Sequence, residues 1–346
     1  MKIISVHAES KNSAILIGER FSNVMHYIKG RKTVILTDSN LLKHYKTQFP
    51  KNIPVIEMGL GEKNKTLPAV ESIIGQLVGY EADRSTFLLV VGGGIVCDVG
   101  GFVASIYMRG IPFGFVSTTL LSQVDASVGG KNGVNFKGYK NMIGVFNQPE
   151  FVLCDNEMLK TLEEEEFRSG FAEIIKAGAI KDASLFNYCK EHVQEALEKK
   201  EDVIHHLIYE SVRIKADVVA ADEREKGERR LLNFGHTFAH SIEKMSPTLH
   251  GNAVSIGIVL AAKVSFLLGM ISENESNLIS EVVDSYGLPV QPKVPAEELF
   301  EAMKQDKKRE GESIHLVLLE RIGKAVARKI SFSELQKITY DLRSHI

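Results

Sequence analysis

The chain has 346 residues, 44% of them hydrophobic and 25% charged, and its 42 basic and 44 acidic side chains leave a net charge of −2. That length exceeds one ordinary core and points to two domains. The near-neutral charge excludes the bulk field that draws nucleic acid or an anionic membrane, so any anionic substrate must be held by locally placed cations and amides.

The first five residues, MKIIS, lack the apolar run of a signal peptide. Residues 33–37 (TVILT) read as a strand, with Asp38 at its end. Residues 62–66 (EKNKT) form a polar loop opening a helix at Leu67-Pro68. Residues 85–91 (STFLLVV) make a longer apolar strand that runs into Gly92-Gly93-Gly94 and then a helix. Strand, glycines and helix put unhindered amides at a helix N-terminus, which suits an anion. The same triplet also suits a tight turn without a ligand, and it is not the GxGxxG fingerprint. Asp98 falls one helical turn further on, where it reads as a ribose or nicotinamide contact or as a capping-type carboxylate.

Cys97, Cys154 and Cys189 are odd in number and show no CxxC spacing, which argues against a disulfide framework or a zinc-thiolate site and fits a reducing cytoplasm. Residues 113–117 (FGFVS) and 151–154 (FVLC) are two more strands, and continuous apolar strands between helices predict a covered parallel sheet. Between them, residues 117–144 carry small and polar residues without hydrophobic periodicity. They read as a long loop, which is uncommon unless functional. Lys131, Lys140 and Asn141 give it the donors a phosphate needs.

From about Lys160 the period becomes helical, over residues 163–179, 193–215, 237–244 and 253–268. One late strand is expected at 315–319 (HLVLL). Residues 253–271 have the length of a membrane span, but Lys263 interrupts them, and a buried core helix is the better reading. Glu173 and Lys176 share one helix face, either as a structural ion pair or as part of a site. His236 and His240 form HxxxH, with His250, Asn233 and Arg229 close in sequence. Spacing alone names His236 and His240 as a metal pair. Thr237 stands where a metalloprotease needs its glutamate. The residues alone thus predict an α/β domain over 1–160, a mainly helical domain over 161–346, a metal-and-anion site and a nucleotide site.

Taken together, these segments resemble the sugar-phosphate cyclase superfamily, and most closely its dehydroquinate synthases. The resemblance runs from about Asp38 to Lys308 through GEKNKT (61–66), GGGIVCDVGGFVAS (92–105), YMRG (107–110) and TTLLSQVDASVGGKNGVN (118–135). It continues through KNMIGVF (140–146), AEIIKAG (172–178), RRLLNFGHTFAH (229–240), LHGNAVSIG (249–257) and DKK (306–308).

The resemblance implies a Rossmann-like NAD-binding α/β domain followed by a mainly α-helical domain. It implies metal ligation by Glu173, His236 and His250, with zinc the expected ion and cobalt able to substitute, and it moves His240 to the substrate phosphate. NAD would lie along Asp38, Glu62, Lys65, Gly93, Gly94, Asp98, Thr118, Thr119, Lys140 and Thr161. Asp125, Lys131, Asn141, Lys176, Lys215, Arg229, Asn233, His240 and one of Lys307 and Lys308 would hold the substrate, and Arg109 would reach the partner's site in a homodimer. The implied substrate is 3-deoxy-D-arabino-heptulosonate 7-phosphate, with a cytoplasmic setting and no nucleic-acid or membrane partner.

Departures from the family pattern are Asn132 for a usual Thr, Cys97 for Gly, Ser117 for Pro and Ala239 for Gly. The competing readings are another cyclase of the superfamily, a metal-dependent polyol or glycerol-phosphate dehydrogenase of the same fold, and a non-catalytic NAD-binding protein. The segments SVGGK, KNMIG and AEIIK favour dehydroquinate synthase, and Glu173 stands where the dehydrogenases typically carry Asp.

Overall fold

The apolar runs of the first half become strands of one sheet in a computed structural model, which describes residues 1–304, 309–310 and 312–342. The chain falls into two units, one of Met1–Glu163 with Lys215–Arg224, the other of Glu164–Ile214 with the chain from Glu225 onward.

The first unit begins with β1 (Lys2–His7), β2 (Asn12–Ile17), α1 (Val24–Ile28), β3 (Thr33–Asp38), α2 (Ser39–Tyr45), β4 (Val55–Met58) and α3 (Leu67–Gly79). It continues with β5 (Phe87–Gly92), α4 (Gly94–Ile106), β6 (Phe113–Ser117), β7 (Lys131–Phe136), β8 (Tyr139–Phe146) and β9 (Phe151–Cys154). Among the described residues seven strands form one sheet in the order β1-β2-β9-β6-β5-β3-β4. Only the β1–β2 pair is antiparallel. Every residue of β5, β6 and β9 is buried, as strands covered on both faces require. Asp38 caps α2 and Thr66 caps α3, each accepting a main-chain N–H.

The long loop expected over 117–144 is not one. Its first part is helical, with a π-turn at Ser122–Ala126, and the rest is the β7–β8 hairpin. Lys137 and Gly138 at its tip both have positive φ (48° and 81°), the backbone of a two-residue turn that matches strand twist. Periodicity hid the hairpin because its strands approach too closely for side chains. A Cβ on Gly133 would lie 2.5 Å from Ile143 O, and one on Gly144 2.5 Å from Asn132 O.

The second unit holds α5 (Glu164–Lys181), α6 (Ala183–Glu191), α7 (Val193–Leu197), α9 (His236–Met245), α10 (His250–Leu267), α11 (Glu273–Ser285) and α12 (Ala296–Lys304). A small antiparallel sheet of β10 (Arg309–Glu310), β11 (Ser313–Arg321) and β12 (Lys324–Ser331) follows, then α13 (Phe332–Leu342). Helix α8 (Glu201–Ala221) starts in this unit, and its residues from Lys215 count with the first. The single helix expected over 193–215 is broken before α8, where Lys199 adopts a left-handed conformation (φ 58°).

Helix α10 contains the apolar stretch with the length and composition of a membrane span, and 72% of it is buried. It packs against α5, α9, α11 and β11, so its apolar circumference is a packing requirement. Two glycines bring its neighbours in. A Cβ on Gly257 would lie 2.1 Å from Gly235 O, just before α9, and one on Gly251 would lie 1.9 Å from Ser169 O of α5. These approaches hold α5, α9 and α10 together. Lys307 and Lys308 lie outside the described residues.

Candidate functional site

In the first unit, strand order reverses at β3, with β4 on one side and β5, β6 and β9 on the other. Ligands on open parallel sheets bind beyond the carboxyl ends of the strands at such a reversal. Asp38 ends β3 there, and Gly93 and Gly94 follow β5. Gly93 caps α4 without any capping side chain, so the first amides of that helix are left to a ligand or solvent. A Cβ at Gly93 would come within 2.9 Å of Thr119 Cγ2, and one at Gly94 within 3.0 Å of Ala126 Cβ. Only glycine keeps this turn packed on the segment after β6. Thr118 Oγ1 is buried there without a hydrogen-bond partner, and a buried hydroxyl of that kind calls for one. The adjacent Thr119 and Ser122 bond reciprocally.

The other nucleotide candidates fall into pairs. Asp98, one turn into α4, forms an ion pair with the buried Lys65. Burial pushes the Asp98 carboxyl up while the Lys65 ammonium draws it down. Asp38 accepts from Leu41 N at 3.0 Å, and burial raises its carboxyl as well. Thr161 Oγ1 lies 2.8 Å from the Tyr45 hydroxyl on α2. Glu62 accepts from Asn135 Nδ2 at 2.7 Å.

Of the substrate candidates in this unit, Lys215 Nζ donates to Asp125 Oδ1 at 2.5 Å and to Asp125 O at 2.7 Å. Lys131 opens β7, Lys140 and Asn141 lie in β8, and Arg109 ends the Tyr107–Arg109 turn after α4, all four exposed. Asn132 is buried and donates to Gly130 O (3.0 Å) and Asn147 O (2.8 Å). A Cβ on Gly101 of α4 would meet Asn132 Oδ1 at 2.1 Å. The Asn at this departure from the family pattern thus ties the two ends of the hairpin and packs against α4 at Gly101.

In the second unit, three helices bring Glu173 (α5), His236 (first residue of α9) and His250 (first residue of α10) together, with one ligand atom from each within 4.8 Å of the others. Glu173 Oε1 lies 3.5 Å from His236 Nε2 and 3.6 Å from His250 Nε2. Donors bonded at about 2.1 Å around a tetrahedral zinc ion stand roughly 3.4 Å apart. Both Glu173 oxygens are buried without a hydrogen bond of good geometry, although Lys176 forms an ion pair with Oε2. A dry, anionic, under-bonded carboxylate beside two imidazoles fits a divalent cation. Of the pair that spacing names, His236 belongs to this cluster and His240 is not among its three residues, although its ring centre lies 5.7 Å from that of His236, close to the 5.5 Å between His236 and His250. HxxxH makes the two rings neighbours on α9, but His250 arrives from another helix, which spacing cannot show.

Burial works to raise the Glu173 carboxyl, but Lys176 and His250 outweigh it and hold it at about 2. Burial likewise disfavours the charged His250, yet the neighbouring Glu173 and Glu243 carboxylates raise it to about 9. Lys176 is buried beside this cluster, and Arg229 is buried in the Glu228–Asn233 turn. Asn233 Nδ2 donates to Glu225 Oε1. Sequence reasoning missed Glu243, whose Oε1 lies 3.1 Å from His250 Nδ1. A carboxylate on the far nitrogen fixes the tautomer that turns Nε2 toward Glu173. The signal was there: Glu243 lies on α9 three residues after His240, on the HxxxH face.

With this geometry stand the comparisons with known proteins. Residues 55–169 match the family described as 3-dehydroquinate synthase N-terminal, and residues 170–309 match 3-dehydroquinate synthase C-terminal. A 3-dehydroquinate synthase of Halorhodospira halophila is 44% identical over 270 residues, spanning 77% of this chain and 76% of that protein. In fold, the chain is similar to 2-epi-5-epi-valiolone synthase from Streptomyces hygroscopicus subsp. jinggangensis, solved with NAD+ and Zn2+ (TM-score 0.88, 24% identity, 100% of both chains). It is also similar to 2-deoxy-scyllo-inosose synthase, solved with carbaglucose-6-phosphate, NAD+ and Co2+ (TM-score 0.87, 22% identity, 98% of this chain and 100% of that one).

Proposed function

The chain belongs to the 3-dehydroquinate synthase family, and we propose on that premise that it converts 3-deoxy-D-arabino-heptulosonate 7-phosphate into 3-dehydroquinate and phosphate, a step of the shikimate pathway. The observation that carries the reading at the site is the Glu173–His236–His250 cluster, with its under-bonded carboxylate. The two solved relatives bind NAD+ and a divalent cation, which supports zinc or cobalt at this cluster and NAD at the β5–α4 turn.

When bound, NAD supplies a hydride acceptor that is regenerated each turnover, and the cation supplies charge that acidifies a hydroxyl. Glu173, His236 and His250 would hold the cation, with Glu243 orienting His250. Gly93, Gly94, Thr118, Thr119, Asp98, Lys65, Glu62, Asp38, Lys140 and Thr161 would receive the nucleotide. Lys131 and Asn141 in the first unit, and Arg229 and His240 in the second, carry the donors and positive charge that a phosphate monoester needs. Asp125 and Lys215 in the first unit, and Asn233 and Lys176 in the second, offer the polar groups that hydroxyls of the sugar acid need. Oxidation of one hydroxyl to a ketone acidifies the neighbouring C–H. Phosphate then departs by elimination, its own oxygen taking the proton. NAD held by those residues would supply the reversible oxidation, and ring opening with an intramolecular aldol addition then closes the carbocycle.

We also propose a cytoplasmic homodimer in which Arg109 reaches the partner's site. In support, Arg109 (φ 70°) is flanked by the exposed Ile106 and Met108.

The test is incubation with the heptulosonate phosphate, catalytic NAD and zinc, following phosphate and NADH together. Many phosphates per NAD without net NADH is the expected result. Net NADH would move the chain to the dehydrogenase class, and silence in both channels would overturn the substrate.

A further inference from the structure

Asn135 lies in β7 where the hairpin register slips. Val134 pairs with Ile143 but Phe136 pairs with Tyr139, so a single residue of β7 faces residues 140–142 of β8. A bulge of this kind breaks the alternation that sends successive side chains to opposite faces, and it re-aims what it contains. It contains Lys140 and Asn141. Asn141 has φ 52°, a left-handed conformation that asparagine adopts more readily than most residues and that a local hydrogen bond can hold. Here that bond runs to Asn135 Oδ1, which accepts the Asn141 N–H at 2.9 Å.

The other end of the same amide turns the opposite way. Asn135 Nδ2 donates to Glu62 Oε1 at 2.7 Å, and the Asn135 N–H donates to Lys65 O at 2.9 Å. One residue thus joins the Glu62–Asn64 turn and Lys65 to the bulge of β8. The chemistry is specific to an amide: aspartate at 135 offers two acceptors and no donor, and an apolar residue offers neither.

We propose that Asn135 is a positioning residue for the reaction, locking the nucleotide-side turn (Glu62, Lys65) to the bulge that carries Lys140 of the nucleotide set and Asn141 of the phosphate set. The roles of the two sides rest on the proposed function, whereas the lock rests on the hydrogen bonds. Asn135 touches neither ligand; it acts through the residues that do.

The experiment uses the zinc-loaded protein with two substitutions, reading the NAD Kd by calorimetry and the KM for the heptulosonate phosphate. Asn135→Asp keeps the acceptor for Asn141 and sets a carboxylate against Glu62. It is expected to weaken NAD about tenfold and leave KM within about twofold. Asn135→Ala removes both bonds and is expected to weaken NAD and raise KM, each about tenfold. Combining Glu62→Gln with Asn135→Asp reverses donor and acceptor, and should recover most of the NAD affinity that Asn135→Asp loses relative to Glu62→Gln alone. Equal losses in NAD and KM for Asp and Ala, as a merely structural residue would give, overturn the proposal, as does no change in either. Should the wild-type protein fail to release phosphate from the sugar, the proposed function falls. NAD and inorganic phosphate titrations of the same variants would still decide the lock.

Discussion

The two candidate sites are built from different materials. The nucleotide side of the first unit is made of strand ends, bare helix amides and residues chosen for smallness: Gly93 and Gly94 are needed because a Cβ would meet Thr119 or Ala126. The metal side of the second unit is made of charged side chains delivered by three helices, and its centre is a carboxylate lacking good hydrogen bonds. A site made of backbone tolerates any side chain that leaves the space open, whereas a ligand set fails with the loss of one atom.

That contrast predicts how each site breaks. The largest effect belongs to His250→Ala, which removes one of the three proposed ligands. It should leave no stoichiometric zinc after dialysis while NAD affinity stays within about twofold, since additivity holds for separate sites. Retention of wild-type zinc would end the ligand assignment. Next, Gly93→Val fills the space the backbone site needs. Overpacking of this kind should weaken NAD about tenfold or more with zinc content unchanged. Equal loss of zinc would mean that the two sites are not separable in this way. Smaller again, Glu243→Gln keeps the shape but removes the carboxylate behind His250. Zinc affinity should fall about tenfold, read by competition with a chelating dye, with a changed visible spectrum in the cobalt form. The smallest effect concerns charge in the otherwise backbone-built unit. Burial works to raise Glu150, but Arg31 and Lys11 outweigh it and hold its carboxyl below the ordinary 4.5. A depressed carboxyl stabilises the fold above its unfolded value, and that contribution is lost as pH falls through the folded one. Glu150→Gln should therefore flatten the drop in Tm below about pH 4.5, and parallel Tm curves for variant and wild type would refute it.

The parts legible in the sequence were those with a local signature. Buried parallel strands announce themselves as unbroken apolar runs, so β3, β5, β6 and β9 were visible, and so were the long helices α5, α9 and α10. The edge pair β1–β2 and the short β4 were not, because exposed and buried positions mix in them without a clean period. The hairpin was hidden by Gly133 and Gly144, which serve the approach of two strands and carry no hydrophobic signal. In the candidate metal cluster, the histidine pair at i and i+4 was the readable part, and only His236 of that pair belongs to the cluster. Glu173 and His250 meet His236 only because Gly251 and Gly257 let α10 close on its neighbours, and such long-range contact leaves no mark in spacing. It was the resemblance, carried by whole motifs in order, that named that set.

Helix α10 has a further consequence for how the chain is made. As it leaves the ribosome it carries a stretch as apolar as a membrane anchor, yet one of the surfaces that covers it, β11, lies some fifty residues downstream, with Leu319 N–H bonded to Ser265 Oγ at 3.0 Å. Until β11 is synthesised, that side of the helix has no native cover, a state that invites aggregation or capture by chaperones. Chains cut between α10 and β11 should therefore be insoluble even though Glu173, His236 and His250, the proposed metal set, are already present.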